Sequence, residues 1–241
     1  MPPEADWSDG PAVGKNGRAM DVESRDSVSL KPAELDELGQ LLASIGLVLG
    51  DSELDAQVEQ FSLVALSKAE GELHGFLFGS LERVGGTPCI LWGIGAVRRS
   101  RQAGPAVRAV ASELYRRAAI SFPDEDVLVA GRVAHPAAYA LFGGLDDVVP
   151  RPGYSPTGEE RAWGRRLARR FGCDGEYDDR SFRLRGAGTA VGILDASSVK
   201  AGAKAAVVEL LSEVDPSRGD AVIAFGWAGA EKLANGLAHP H

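Results

Sequence analysis

Cysteine is nearly absent from this sequence, and no long apolar run occurs in it. The two cysteines of the 241-residue chain, Cys89 and Cys173, lie far apart. That spacing supplies neither a disulfide framework nor the clustered ligands of a structural metal site. Cys89 sits within an apolar run and reads as a small core residue, while Cys173 falls outside the core pattern. Neither offers a cysteine nucleophile. No apolar run approaches the roughly 20 residues of a membrane span, and Met1 to Gly10 is acidic where a secretory signal would be apolar. A soluble, cytoplasmic protein in a reducing compartment is expected. Positive charge is in deficit as well. The chain holds 26 Lys and Arg against 34 Asp and Glu, a net charge of -8, which argues against the basic footprint of nucleic-acid binding. No internal repeat is present.

What remains is an ordinary globular composition, 44% hydrophobic and 25% charged, in a chain long enough to bury a large core. The charge is unevenly spread. Residues 1–60 hold 4 Lys and Arg against 13 Asp and Glu, whereas residues 98–117 hold six Arg and one Glu. A local basic patch on an acidic chain suits a small anionic ligand.

Residues 1–26 are rich in Gly, Pro, Ser, Asp and Glu and read as a disordered tail. Residues 27–150 form the expected core. A short strand is expected at Ser27 to Leu30. Leu35, Leu38, Leu41, Leu42 and Ile45 recur at helical spacing over Lys31 to Ile45, and a second helix runs from about Asp51 to Gln60. A strand meander follows, at Phe61 to Leu66, Leu73 to Leu81 and Cys89 to Val97, with Gly85-Gly86 as a turn. The third of these strands is apolar on both faces and therefore central. A helix runs to about Ile120, then a strand at Val127 to Val133, a short helix at His135 to Phe142 and a strand at Asp147 to Pro150. Residues 151–241 form an extension that completes or packs on the same sheet. It holds a basic helix at Glu159 to Phe171, a strand at Ser181 to Arg185, a helix at Asp195 to Val214 and a buried strand at Ala221 to Trp227. A meander followed by a strand–helix–strand crossover predicts an α/β (α+β) fold, a mixed sheet covered by helices.

One stretch concentrates chemistry. Arg98 to Val107 reads RRSRQAGPAV and joins the central strand to the following helix. The first N–H groups of a helix lack intrahelical acceptors, and the helix dipole is positive there. Gly104 allows close approach of a ligand to the backbone, and Pro105 fits a first turn where its missing N–H costs little. Arg98, Arg99 and Arg101 add charge-assisted donors. The stretch reads either as a phosphate cradle or as a solvated turn before a surface helix.

Arg101-Gln102-Ala103-Gly104-Pro105-Ala106, together with the order of elements over residues 27–150, resembles the GNAT acyltransferase superfamily. That family's loop reads Q/R-x-x-G-x-G/A, and Arg101, Gly104 and Ala106 fall on its three defined positions. The resemblance implies a mixed, mostly antiparallel sheet flanked by helices. It implies that acetyl-CoA or another acyl-CoA binds along Ala96, Val97, Arg99, Arg101, Gln102, Ala103, Gly104, Pro105 and Ala106. It also implies a bulge in the strand before the loop, which suits Gly93 and Gly95. The family's N-x-x-A-x-x-L-Y segment corresponds here to His135-Pro136-Ala137-Ala138-Tyr139-Ala140-Leu141-Phe142: Ala138 and Leu141 match, His135 replaces Asn and Phe142 replaces Tyr.

The family's catalytic groups are therefore displaced. Residues 88–97 carry no carboxylate or histidine to act as base. Glu72 and His74 share one face of the neighbouring strand by parity, and either can accept an amine's proton directly or through water; alternatively Glu72 begins the strand in solvent and His74 is a satisfied structural histidine. Tyr139 is the remaining candidate acid, and alternatively a half-buried packing residue. The expectation is an acyl-CoA-dependent N-acetyltransferase acting on a small-molecule or peptide amine by direct attack. No metal, nucleic acid or membrane is involved, and the sheet allows a homodimer. The alternatives are a non-catalytic GNAT-like domain that binds acyl-CoA, another phosphorylated ligand or a protein partner, and a decarboxylase on the same fold.

Overall fold

A computed structural model of the chain describes residues 12–13, 19–47, 49, 51–186 and 205–236. Ten strands among them lie in the order β1-β2-β3-β4-β5-β6-β10-β9-β8, with β7 also paired to β10. Their ranges are β1 Ala12–Val13, β2 Ala19–Asp26, β3 Leu63–Ala69, β4 Glu72–Val84, β5 Thr87–Val97, β6 Val127–Val133, β7 Asp146–Val149, β8 Tyr177–Asp178, β9 Arg183–Leu184 and β10 Ala221–Ala228. Every pairing is antiparallel except β5 with β6. This is the mixed, mostly antiparallel sheet expected, and the strands after residue 150 lie in it.

Helices cover both faces. Helix α1 spans Pro32–Ser44, α2 Asp51–Gln60, α3 Ala103–Ser121, α4 Pro136–Tyr139, α5 Gly158–Arg170, α6 Ala205–Leu210 and α7 Ala230–Ala234. Helix α3 packs one face through Ala106, Val110, Leu114 and Ala118, beside Ile90, Trp92 and Val129 of the sheet. Helices α1, α2 and α5 pack the other through Leu38, Leu42, Leu54, Trp163 and Leu167, against Phe76, Phe78, Leu91 and Ile223. Helix α5 starts where the sequence supplies a capping box. Thr157 Oγ1 accepts from Glu160 N–H at 3.2 Å, and the Glu160 carboxylate accepts from Thr157 N–H at 2.6 Å. Its C-terminal end is tied to the sheet by Arg170, whose guanidinium lies 2.5 Å from Glu82 of β4. Among the described residues no helix is long and apolar enough to cross a membrane, and no group of three or more His, Cys, Asp or Glu is placed to hold a metal.

Three local expectations are corrected. Ala19–Asp26 is a strand rather than part of a disordered tail; it pairs with β3 over Asp21↔Lys68 to Asp26↔Leu63. Its polar composition is outweighed by the backbone ladder, by burial of Met20 (1% exposed, about 1.5–3 kcal/mol for such a side chain) and by bonds from Ser24 to α3. The remainder of that tail lies outside the described residues. Ser27–Ser29 is a 3-10 turn and not a strand. The Ser27 hydroxyl bonds to the Phe61 and Val58 carbonyls, and its N–H donates to Ser62 O, so the turn is pinned to the end of α2. Cys173, expected outside the core, is 4% exposed, because its N–H closes the end of α5 on Ala168 O. Of the helix expected over Asp195 to Val214, residues 195–204 lie outside the described residues, and α6 occupies Ala205–Leu210.

Candidate functional site

The parallel ladder between β5 and β6 is short. It runs from Cys89↔Leu128 to Trp92↔Gly131 and stops. β5 continues five residues further, to Val97, paired only with β4. The cause is a bulge. Trp92 opposes Gly79 and Gly95 opposes Leu77, so Gly93 and Ile94 together face Phe78. Gly93 is required there, since a Cβ would lie 2.6 Å from the Phe61 ring and 3.0 Å from Gln57 Oε1. The amide of Ile94, displaced from the ladder, donates to that same Gln57 oxygen at 2.9 Å. Beyond the bulge Ala96 faces the α1 side of the sheet and Val97 the α3 side, both fully buried. The two strands thus part, and one edge of β5 is left without a ladder partner along its last residues.

At the end of that edge lies the arginine-rich turn. Arg98 N–H donates to His74 O at 2.7 Å and Arg98 Nε to Leu73 O at 3.2 Å, folding this residue onto β4. Arg99 donates to Ile45 O, 3.2 Å away, at the C-terminal end of α1. Ser100 closes the turn, its Oγ accepting from Gln102 N–H at 3.1 Å and its carbonyl from Ala103 N–H at 3.2 Å. Ala106 N–H is taken by Gln102 O at 2.9 Å, and Pro105 has no N–H. Gly104 therefore offers the amide of the first turn of α3 to an outside acceptor. A Cβ on Gly104 would meet only Arg108 Nη1, at 3.6 Å. Packing within the protein does not require this glycine; what its hydrogen leaves open is the space above the helix start. Arg101 is exposed beside that space and Arg108 overhangs it. The sequence reading missed Arg108, although the i, i+4 spacing from Gly104 on a helix points to it.

The other candidates are placed less closely together. Glu72 is the exposed first residue of β4, paired with Ala69. His74 is half-buried, and its carbonyl holds Arg98. The single face expected for both by parity is not found: Glu72 pairs with Ala69, which packs in the α3 cluster, Leu73 packs in the α1 cluster, and the register shift between Ser67 and Lys68 leaves His74 as an extra residue between Leu73 and Gly75. His74 lies five residues along β4 from Gly79, the partner of Trp92, roughly 16 Å at strand rise. Tyr139, at the end of α4, donates its hydroxyl to Pro150 O at 2.5 Å. Burial pushes its pKa up to about 12, partly opposed by Arg151. Phe142 is fully buried against Trp92, ring centroids 5.2 Å apart, and His135 is the N-cap residue of α4. Trp92 itself stands at the last rung of the parallel ladder, and its Nε1 is a buried donor with no acceptor among the described residues. Tyr115 closes edge-on behind it at 6.1 Å.

On the opposite face, α1 and α2 enclose a groove of about 450 Å³ lined by Leu35, Leu42, Leu49 and Leu54, with Asp36 and Asp55 among its walls.

The arrangement is a sheet in which two parallel strands part, with an open helix start flanked by Arg101 and Arg108 at one end of the gap. No protein-family model matches the chain, and no curated protein matches it. Among solved structures it is similar to the aminoglycoside 6'-N-acetyltransferase from Enterococcus faecium, at 19% identity and a TM-score of 0.37, over 48% of this chain and 63% of that one. It is also similar to Escherichia coli ElaA, at 15% identity and a TM-score of 0.39, over 58% of this chain and 94% of that one. A GNAT family acetyltransferase from Brucella melitensis in complex with acetyl-CoA matches at 14% identity and a TM-score of 0.35, over 50% and 82% of the two chains.

Proposed function

We propose that the chain is a divergent member of the GNAT superfamily, a cytoplasmic acyl-CoA-dependent N-acyltransferase transferring an acetyl group to a primary amine. One observation carries this reading: the parallel ladder ends at Trp92 and Gly131, and the same stretch of β5 runs directly into the arginine turn and the open first turn of α3. A gap between strands that leads to an anion cradle suits a long ligand with phosphates at one end and an extended amide-bearing arm.

In this reading the Gly104 amide, Arg101 and Arg108 hold the phosphates. Gln102, Ala103, Pro105 and Ala106 shape the turn, and Arg99 fixes it to α1. The free edge at Ala96 and Val97 pairs with the arm. Bound acyl-CoA supplies a thioester, an acyl group already activated toward amines. The amine nitrogen forms the new C–N bond as the C–S bond breaks, and the amine's proton leaves to a base while the thiolate takes one up. Glu72 and His74 are the candidate bases, acting through water across the distance to the end of the ladder. Tyr139 can serve as acid only by releasing Pro150 O. Fixing the reactants in the gap contributes to the acceleration.

Two observations favour a second reading, a domain of this fold that binds its ligand without turnover. The Tyr139 hydroxyl is engaged with Pro150, and the bulge amide of Ile94, a natural oxyanion donor, is engaged with Gln57.

Calorimetric titration of CoA and acetyl-CoA into the protein, and into Arg101→Ala and Gly104→Asp, tests the first reading. Micromolar binding, lost in Gly104→Asp and weakened at least tenfold in Arg101→Ala, is expected. Absence of binding at millimolar CoA would remove the cofactor from this site. Amine-dependent release of the CoA thiol then separates the transferase from the silent binder.

A further inference from the structure

On the face of the sheet opposite α3, one buried charge has no counter-charge. Arg132 follows Gly131, the last residue of the β5–β6 ladder, and is paired with Ile223 of β10 on its other side. It is 6% exposed. Its guanidinium lies 5.2 Å over the ring of Phe171, at the end of α5. Among the described residues it makes no ion pair. The titratable groups that reach it are Cys173 and Arg170, and Arg170 is itself held by Glu82. Burial pushes the Cys173 thiol up to about 11, so it carries no charge near neutrality. Arg170 adds a second positive charge to the surroundings.

A guanidinium stays charged and presents five donors in a planar fork. Removing it from water without an anion is costly, and an aromatic face recovers only part of that cost. The position gives the cost a purpose. Arg132 is the first residue of β6 beyond the ladder, so it flanks the mouth where β5 and β6 part, across from Gly93 and the Phe61 ring behind it. We propose that Arg132 is a specificity residue that binds a carboxylate of one of the two reacting partners, holding it over Phe171 beside the point where the strands separate. The inference rests on the transferase reading for the identity of those partners. The carboxylate comes either from the acceptor, an amino acid or short peptide, or from the far end of a dicarboxylic acyl group.

The test uses the full chain with Arg132→Met and Arg132→Lys. Succinate titrated against thermal melting needs no turnover. It raises the Tm of the wild type, raises that of Arg132→Lys less, and leaves Arg132→Met unmoved. Without ligand, Arg132→Met melts at or above the wild type, because an apolar chain of similar length replaces an unpaired buried cation. A Tm well below the wild type would mean that the fold already satisfies the guanidinium, and would overturn the proposal. Kinetics then assign the source. With acetyl-CoA, glutamate and β-alanine are compared with their amidated forms. If the acceptor brings the carboxylate, Arg132→Met loses at least tenfold in kcat/KM for the acids and stays within twofold for the amides. If the acyl group brings it, the same loss appears with succinyl-CoA and not with acetyl-CoA, whichever acceptor is used. Equal effects on all four combinations overturn the proposal. A chain that binds CoA but never turns over sinks the transferase reading alone. The succinate shift then decides on Arg132, and no shift in the wild type counts against it.

Discussion

Gly104 is where a single hydrogen atom separates two accounts of the arginine turn. If the turn is only a solvated connection, the glycine is replaceable. It has ordinary helical geometry, and a Cβ there meets nothing closer than Arg108 at 3.6 Å. Gly104→Ala is then expected to stabilise the protein by about 0.4–1 kcal/mol, through the lost freedom of the unfolded chain. If the turn is a cradle, the same methyl stands in the ligand's way. The expected outcome is a Tm at or above the wild type together with a loss of CoA affinity of at least tenfold, read by melting and calorimetry on one sample. Unchanged affinity would return the glycine to an incidental role. Gly104 and Arg101 were legible in the sequence because a helix start is a local property, written within six consecutive residues. The isolation of Arg132 was not. Alternation in VLVAGRV puts Arg132 on the face of Leu128 and Ala130, but whether a carboxylate meets it is decided by α5, which begins 26 residues later.

Among the elements, β2 shows why composition misled. Six of its eight residues, Asp21 to Asp26, pair with β3, and among the side chains described from Met20 to Asp26 only that of Met20 is deeply buried. The strand is held to α3 by polar bonds instead. Ser24 Oγ donates to Glu113, Arg117 Nε donates to Ser24 Oγ at 2.7 Å, and Arg116 bonds Glu113 through Nε at 2.8 Å and Nη2 at 2.7 Å. Such a network joins residues about 90 positions apart and leaves no periodic trace. It does leave a pH signature. Burial alone would raise the Glu113 carboxyl, but the bonds from Arg116 and Ser24 outweigh it, and the pKa falls below the ordinary carboxylate value of 4.5. A depressed carboxyl binds its proton more weakly folded than unfolded. Its stabilisation is therefore complete above about 4.5 and is lost as the pH falls through the lower, folded value. Glu113→Gln is expected to reduce stability at pH 7 and to flatten the acid limb of the denaturation profile below pH 4.5. Parallel acid limbs in the two proteins, measured by urea denaturation across pH 3–7, would show that Glu113 does not anchor β2.

At the scale of the whole molecule the gap between β5 and β6 depends on a contact between two layers. The bulge at Gly93 and Ile94 exists in the sheet, but it is shaped from the helical layer, where Phe61 fills the space a side chain would need and Gln57 takes the displaced amide. The sequence showed glycines in a central apolar strand, and with them a reason to expect a bulge. It did not show which residues hold the bulge open, because Gln57 and Phe61 lie more than 30 positions earlier and meet β5 only once the meander has folded. The dependence is testable by non-additivity. Gly93→Ala forces a methyl to within 2.6 Å of the Phe61 ring and is expected to cost about 1–3 kcal/mol as overpacking. Phe61→Ala empties a fully buried site and is expected to cost about 3–5 kcal/mol. If the two residues shape one space, the double variant costs less than the sum of the singles by at least about 1 kcal/mol, since the methyl then enters the cavity left by the ring. CoA affinity should follow the same pattern, falling in Gly93→Ala as the bulge is displaced and recovering in part in the double variant. Strict additivity of stability and affinity would mean that the bulge is set by β4 and β5 alone, and that the helical layer merely covers a gap the sheet has already opened.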